Sequence, residues 1–208
     1  MLARSLAVAL ACIAGVASAE DYSGYLGLSV GQTSASAWHA FISNGDDGSF
    51  GSGGFNSDNT DNSLRAYFGV NLIDGLALEG GYVRLGEMTA HGTSNGSAFY
   101  TAGPVSVRSG VTGYEFAFVG RAGRRDSFAL LGRAGLMFWD LKRQLSMTGL
   151  QFGANEDGDG IFWGFGVEYA SSSALAYRLE ITRFGVDSND IDHMDTLALS
   201  LVYRTEIR

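Results

Sequence analysis

Residues 74–86 read DGLALEGGYVRLG and follow SLRAYFGVNLI at 63–73. Two alternating segments meet at a tight Ile73-Asp74-Gly75 turn, which is the sequence form of a β-hairpin. In the second segment Leu76, Leu78, Gly80 and Tyr82 share one face, and Ala77, Glu79, Gly81 and Val83 share the other. In the first, Leu64, Ala66, Phe68, Val70 and Leu72 lie opposite Arg65, Tyr67, Gly69 and Asn71. A soluble barrel hides its large apolar side chains. Here they stand opposite the face that carries charges and small residues, as they do where the outside of a barrel meets lipid.

The same alternation recurs along the chain. Further segments fall at 24–33, 110–121, 127–141, 160–170, 174–185 and 194–204, which with 63–73 and 74–86 makes eight. The connections at 34–62, 87–109, 142–159 and 186–193 are long and polar, whereas those at 73–75, 122–126 and 171–173 are short. Long and short alternate strictly, which sorts the loops onto two ends of one sheet. Outer-membrane barrels have this arrangement, with short periplasmic turns and longer external loops. Segments of about 10 to 12 residues also suit a tilted crossing of the hydrocarbon. We expect an all-β fold: an eight-stranded antiparallel up-and-down transmembrane β-barrel. The sheet must close, because an open edge in lipid would leave backbone groups unpaired.

Composition agrees with long paired strands. The chain has 208 residues, 46% of them hydrophobic, with 30 Gly and one Pro. Outside the N-terminal leader no apolar run approaches the roughly 18 residues of a membrane helix. The leader itself has a charged start at 1–4, an apolar core at 5–15, and Ala17-Ser18-Ala19 as a small-residue cleavage site. We therefore expect a signal peptide at 1–19 and a mature barrel domain at 20–208. Cys12 lies inside the leader, so the mature chain needs no thiol chemistry. A lipoprotein signal at Ala9-Leu10-Ala11-Cys12 would have an unusually short apolar region. Removing Arg4 with the leader reduces 14 basic residues to 13 against 22 acidic ones, a formal charge of −9. That balance argues against nucleic acid as a partner.

The inward faces carry Arg65, Glu79, Glu115, Arg121, Arg133, Glu168, Arg178 and Glu180. Acids and bases balance, as buried charges must. An eight-stranded interior is only wide enough to be filled by side chains. We expect a lumen ion-pair network and no wide pore, with Arg133 and Arg178 as candidate partners for Glu79. Tyr22, Phe128, Tyr169, Tyr177 and Tyr203 fall near the periplasmic rim and Tyr82 and Trp163 near the outer one, an aromatic girdle.

Other chemistry has weaker support. A hydrolytic site would need Ser, His and an acid within mutual reach. His39, His91 and His193 all fall in expected loops or at a strand end, His193 near Asp187, Ser188, Asp190, Asp192 and Asp195. No motif surrounds them, and no catalytic residue is assigned. The run Asn155-Glu156-Asp157-Gly158-Asp159-Gly160 has the oxygens of a calcium loop without the spacing of an EF-hand. No metal site or cofactor is assigned. The glycines at 51–54 lack the Lys and strand–helix setting of a phosphate loop.

Four fragments, FGVNLIDGLALEGGYVRLG, LLGRAGLMFWD, FGVEYASSSALAYRLEI and LALSLVYR, resemble the N-terminal transmembrane barrel of the outer-membrane protein A family. The resemblance covers most of the mature chain apart from the loops. It implies that Glu79, Arg133, Glu168, Arg178 and Glu180 stand where that family has charged interior residues. Two departures from the family pattern stand out. No peptidoglycan-binding segment follows Arg208, so we expect no cell-wall tether. The last strand continues as Tyr203-Arg204-Thr205 rather than ending on an aromatic, which departs from the usual assembly signal.

We expect a non-enzymatic barrel of the Gram-negative outer membrane that supports envelope integrity and displays loops. Its expected partners are outer-membrane lipid and lipopolysaccharide, with periplasmic chaperones and the barrel-assembly machinery during biogenesis. The alternatives are an adhesin or receptor binding an extracellular ligand through its long loops, a lipid A-modifying barrel enzyme, and a soluble lipocalin-like barrel.

Overall fold

The computed structural model describes residues 23–38, 42, 46, 48–50, 54–125, 127–188 and 191–206. The leader at 1–19, Tyr22, His39, Asp190 and the glycines at 51–53 lie outside the described residues. The strands are β1 (Ser23–Ala35), β2 (Asn56–Asp58), β3 (Thr60–Ile73), β4 (Leu76–Ser94), β5 (Gly103–Arg125), β6 (Phe128–Met147), β7 (Leu150–Ala170), β8 (Leu175–Gly185) and β9 (His193–Glu206).

Eight of them close into one antiparallel barrel. β1 pairs with β3 on one side and β9 on the other, and β4–β5 pairing joins the two remaining ends. The short β2 adds beside β4, with Asn56 opposite His91. Each backbone edge within the belt is thereby paired, as hydrocarbon requires. Gly75 adopts φ +79° in the β3–β4 turn, a conformation that glycine reaches without steric cost. Its carbonyl accepts from Arg121 N–H at 2.7 Å, which locks this turn against β5.

The outer wall is apolar through the middle of the barrel. Phe165 is 65% exposed, and Leu26, Leu28, Val30, Leu136, Leu179, Leu199 and Leu201 stand beside it. The expected aromatics also face outward. Phe128 pairs with Tyr169, and Tyr169 with Tyr177, while Tyr203 pairs with Leu175 at the same lower end. Tyr82 pairs with Tyr114 higher up, their rings 5.4 Å apart. Trp163 pairs with Arg183 at that upper end.

Two expected loops are corrected. Residues 87–109 and 142–159 are not polar connections but mostly paired strand. β4 runs on to Ser94 and β5 starts at Gly103, while β6 and β7 are joined only through Thr148-Gly149. The reason is a change of polarity along the strands. Above the lipid belt the inward positions become apolar (Met88, Ala90, Val105, Val107, Leu141, Met147) and the outward ones polar. Alternation continues with the opposite sense, and these segments fold as a soluble barrel would. At about 3.3 Å per residue and a tilt of roughly 40°, the β6–β7 hairpin stands about 25 Å above Phe138.

Candidate functional site in the barrel interior

The interior has two storeys. In the lower one, alternation on β3, β4, β5, β6, β7 and β8 brings Arg65, Glu79, Glu115, Arg133, Glu168, Arg178 and Glu180 together, all of them buried. Glu79 is its centre. Arg178 Nη1 reaches Glu79 Oε1 at 2.5 Å from the opposite wall, and Arg65 Nη2 reaches Oε2 at 2.7 Å from the neighbouring strand. The Tyr25 hydroxyl donates to Glu79 Oε1 at 2.8 Å. Glu79 thus pairs with Arg178 as expected, and with Arg65. Arg133, the other expected partner, pairs instead with Glu115 at 2.9 Å and Glu180 at 3.8 Å.

The set extends in both directions. Arg65 also donates to Glu115 and lies 3.7 Å from Glu180. Arg178 Nε donates to Glu168 Oε2 at 2.6 Å, directly across the β7–β8 ladder. Below it Glu168 also meets Arg121 at 3.6 Å and Arg204 at 2.5 Å. Arg121 bonds Asn71 Oδ1 at 3.0 Å near the β3–β4 turn. Two tyrosines complete the layer. The Arg65 guanidinium lies 3.8 Å from the Tyr67 ring centre, and those of Arg178 and Arg121 each lie 4.9 Å from that of Tyr25. Both the charges and the cation–π faces are screened from bulk water, where such contacts are strongest. The same burial makes each ion dependent on its partners.

Sequence reasoning missed two members of this layer. Arg204 lies in the terminal departure from the family pattern, and Tyr25 lies in the 24–33 segment, which contributes no residue to the expected lumen network. Their signal was parity. Tyr25 has the inward parity of Gly27, Ser29 and Gly31, and Arg204 that of Val202 and Ser200. Glycine makes room for the rings: Gly69 is paired with Tyr25 and Gly27 with Tyr67, and a Cβ on either would fall 2.1 Å from the ring.

The upper storey is apolar. Val83, Leu85, Met88, Val111, Met137, Trp139, Phe162, Phe184 and Met194 fill it. Trp38 and Ile42, from the connection after β1, drop into its mouth and are buried. Trp38 Nε1 donates to Thr89 O at 3.4 Å. The storeys meet where Arg133 lies over the Phe162 ring at 4.7 Å. A second, smaller cluster sits higher, where Phe50, Val105 and Met147 pack with Phe55, Tyr100 and Leu145.

The residues considered for hydrolysis serve strand ends instead. Ser36 Oγ donates to His193 O at 3.0 Å, accepts from His193 N–H at 3.0 Å, and lies 3.0 Å from Nδ1. That hydroxyl closes the top of the β1–β9 ladder. Asp195 stands 3.8 Å from His193 Nε2, but both its oxygens accept from Arg183 at 2.7 Å. Ser188 Oγ is bound within its own turn, to Ile191. His91 lies exposed on β4 opposite Ser106. The calcium-like run 155–160 does not lie in a loop. It is straight β7 strand, with Asn155 opposite Lys142 and Asp157 opposite Asp140, so its oxygens alternate between faces rather than converging. Among the described residues, no group of three or more His, Cys, Asp or Glu is placed to hold a metal ion.

A closed antiparallel barrel with an apolar belt outside and paired charges within is a membrane-spanning barrel of the Gram-negative outer membrane. The chain belongs to the family described as outer membrane protein beta-barrel domain, matched over residues 5–204. The resemblance read from its strand fragments holds at that level. Among solved structures it is similar to Ail of Yersinia pestis, solved with the heparin analogue sucrose octasulfate. That likeness is 11% identical with TM-score 0.52, covering 90% of this chain and 100% of that one. It is also similar to the N-terminal barrel of Pseudomonas aeruginosa OprF, 10% identical with TM-score 0.49, covering 89% and 100%. OprG of the same organism is 12% identical with TM-score 0.49, covering 91% and 97%. No curated protein matches the chain.

Proposed function

We propose that this protein is a non-enzymatic structural barrel that supports envelope integrity and carries rigid hairpins above the membrane. The observation behind this reading is the filled interior: paired ions below, apolar side chains above, and Trp38 in the mouth. With the interior committed to packing, function falls to the surfaces. In this reading the ion pairs are structural, and Tyr82, Phe128, Trp163, Tyr169, Tyr177 and Tyr203 anchor the belt at its two interfaces. The leader at 1–19 is removed on export, and periplasmic chaperones and the barrel-assembly machinery insert the domain at 20–208. A deletion strain tests the structural role. It should become sensitive to detergent and large antibiotics, and a chain lacking 95–102 and with 142–159 cut to a short turn should restore resistance. Failure of the shortened chain to restore it, while folded and inserted, would move the function to the hairpins.

That second reading has its own support. Phe99 is 70% exposed at the tip of the β4–β5 hairpin, beside a packed aromatic cluster, and Leu150 and Phe152 are exposed at the β6–β7 tip. Such side chains suit a protein ligand. A sulfated polyanion of the kind bound by Ail suits this chain poorly. Asp46, Asp58, Asp61, Glu87, Asp140, Glu156, Asp157, Asp159, Asp187, Asp192 and Asp195 crowd the external side. A basic partner fits better.

A further inference from the structure

On the outer wall, β1, β3 and β4 leave a crevice of about 530 Å³ lined by Val30, Gly31, Gln32, Asn62, Ser63, Leu64 and Arg84. We propose that it seats one phosphorylated glycolipid of the outer leaflet, with the phosphate on Arg84 and an acyl chain along Val30 and Leu64.

Arg84 follows Tyr82 by two residues on the outward face of β4 and pairs with Leu64. It therefore stands one step above the Tyr82–Tyr114 ring pair, at the end of the barrel opposite the Asp74-Gly75 turn. That is headgroup level in the external leaflet. Arg84 is exposed and has no carboxylate partner among the described residues. The acids nearby are engaged. Glu87 lies 3.8 Å from Arg108, Asp61 Oδ2 accepts from Glu87 N–H at 2.8 Å, and Asp195 is held by Arg183.

Gln32 and Asn62 pair directly across β1–β3, one step nearer the external end than the Val30–Leu64 pair, so two neutral amides flank the crevice that Arg84 also lines. Below them Val30 is 61% and Leu64 55% exposed, facing the hydrocarbon. One unpaired guanidinium, two amide donors and an apolar track match a phosphate joined to an acyl chain. A free anion would leave the apolar part unused, and a neutral lipid would leave Arg84 unpaired. The inference needs only the outer-membrane placement and stands apart from what the hairpins bind.

The test uses the full mature chain in nanodiscs of zwitterionic phospholipid doped with diphosphoryl lipid A, with retained lipid counted by native mass spectrometry. Wild type should retain diphosphoryl lipid A at least tenfold over its dephosphorylated form, and inorganic phosphate should not displace it. Arg84→Gln should lower retention about tenfold. Asn62→Asp should do the same while keeping Arg84, because it sets a carboxylate against the phosphate. Arg183→Gln, at a similar height on the far wall, should leave retention unchanged. Heat-dependent gel mobility checks that each variant is folded. Equal retention by folded Arg84→Gln and folded Asn62→Asp would overturn the proposal. Equal retention of the dephosphorylated lipid, or displacement by inorganic phosphate, would overturn it too.

Discussion

Glu79→Ala should lower the unfolding free energy by about 3–5 kcal/mol, the usual cost of removing one partner from a buried ion pair. Glu79 is 1% exposed and accepts from Arg178, Arg65 and the Tyr25 hydroxyl. Without it, Arg178 keeps its ion pair with Glu168, and Arg65 keeps Glu115 and Glu180. The layer already holds Arg65, Arg121, Arg133, Arg178 and Arg204 against Glu79, Glu115, Glu168 and Glu180. Losing one carboxylate raises its positive excess from one to two where solvent cannot screen it. Urea unfolding from lipid vesicles gives the number. Arg183→Ala sets the scale, since it breaks a bidentate pair that is half exposed and should cost under about 1 kcal/mol. A Glu79→Ala midpoint equal to wild type would mean that the layer carries no stability.

Gly135→Val should abolish assembly of the barrel. Gly135 faces inward on β6 opposite Ala117 of β5, and a Cβ there would fall 1.9 Å from Phe116 O and 2.8 Å from Ala117 Cα. Those are backbone atoms that cannot swing aside. The β5–β6 ladder would have to open within the hydrocarbon, where unpaired N–H and C=O groups cost several kcal/mol each. Gly132, three residues earlier on the same strand, is the control. Its nearest neighbour would be the Phe165 ring at 3.8 Å, an ordinary contact. Gly132→Val should give the compact, heat-shifted gel band of wild type, and Gly135→Val should give none. A compact band from Gly135→Val would show that the β5–β6 spacing yields more than this packing allows.

The hairpin at 63–86 carried the membrane half of the fold in plain sequence. Period-two alternation fixed which side chains face lipid, and Glu79 could be placed inside from its neighbours alone. Its partners were less legible. Arg65 is on the adjacent strand, but Arg178 reaches Glu79 across the lumen, and that proximity depends on the stagger with which the sheet closes. Local pattern holds no record of that stagger, so Arg133 and Arg178 looked equivalent.

The external half was hidden for a different reason. A search for large apolar residues facing outward stops where polarity reverses. Met88, Ala90, Val105, Val107, Leu141 and Met147 alternate with polar neighbours but point inward, and on β4 a bulge between Arg84 and Gly86 shifts the phase of the pattern. They lie among Ser, Thr, Gly and charged residues that dilute the composition toward that of a loop. Trp38 and Ile42 were hidden more deeply. A plug set in a connection has no period, and its burial follows only from the shape of the mouth it fills.

Liposome swelling addresses the filled interior most directly. Wild-type protein reconstituted into vesicles and diluted into isotonic arabinose should leave the turbidity steady, because buried side chains of the ion-pair layer and the apolar storey above it fill the lumen among the described residues. Swelling that rises in proportion to the amount of folded protein would mean that sugar crosses the lumen, and would contradict the two-storey seal.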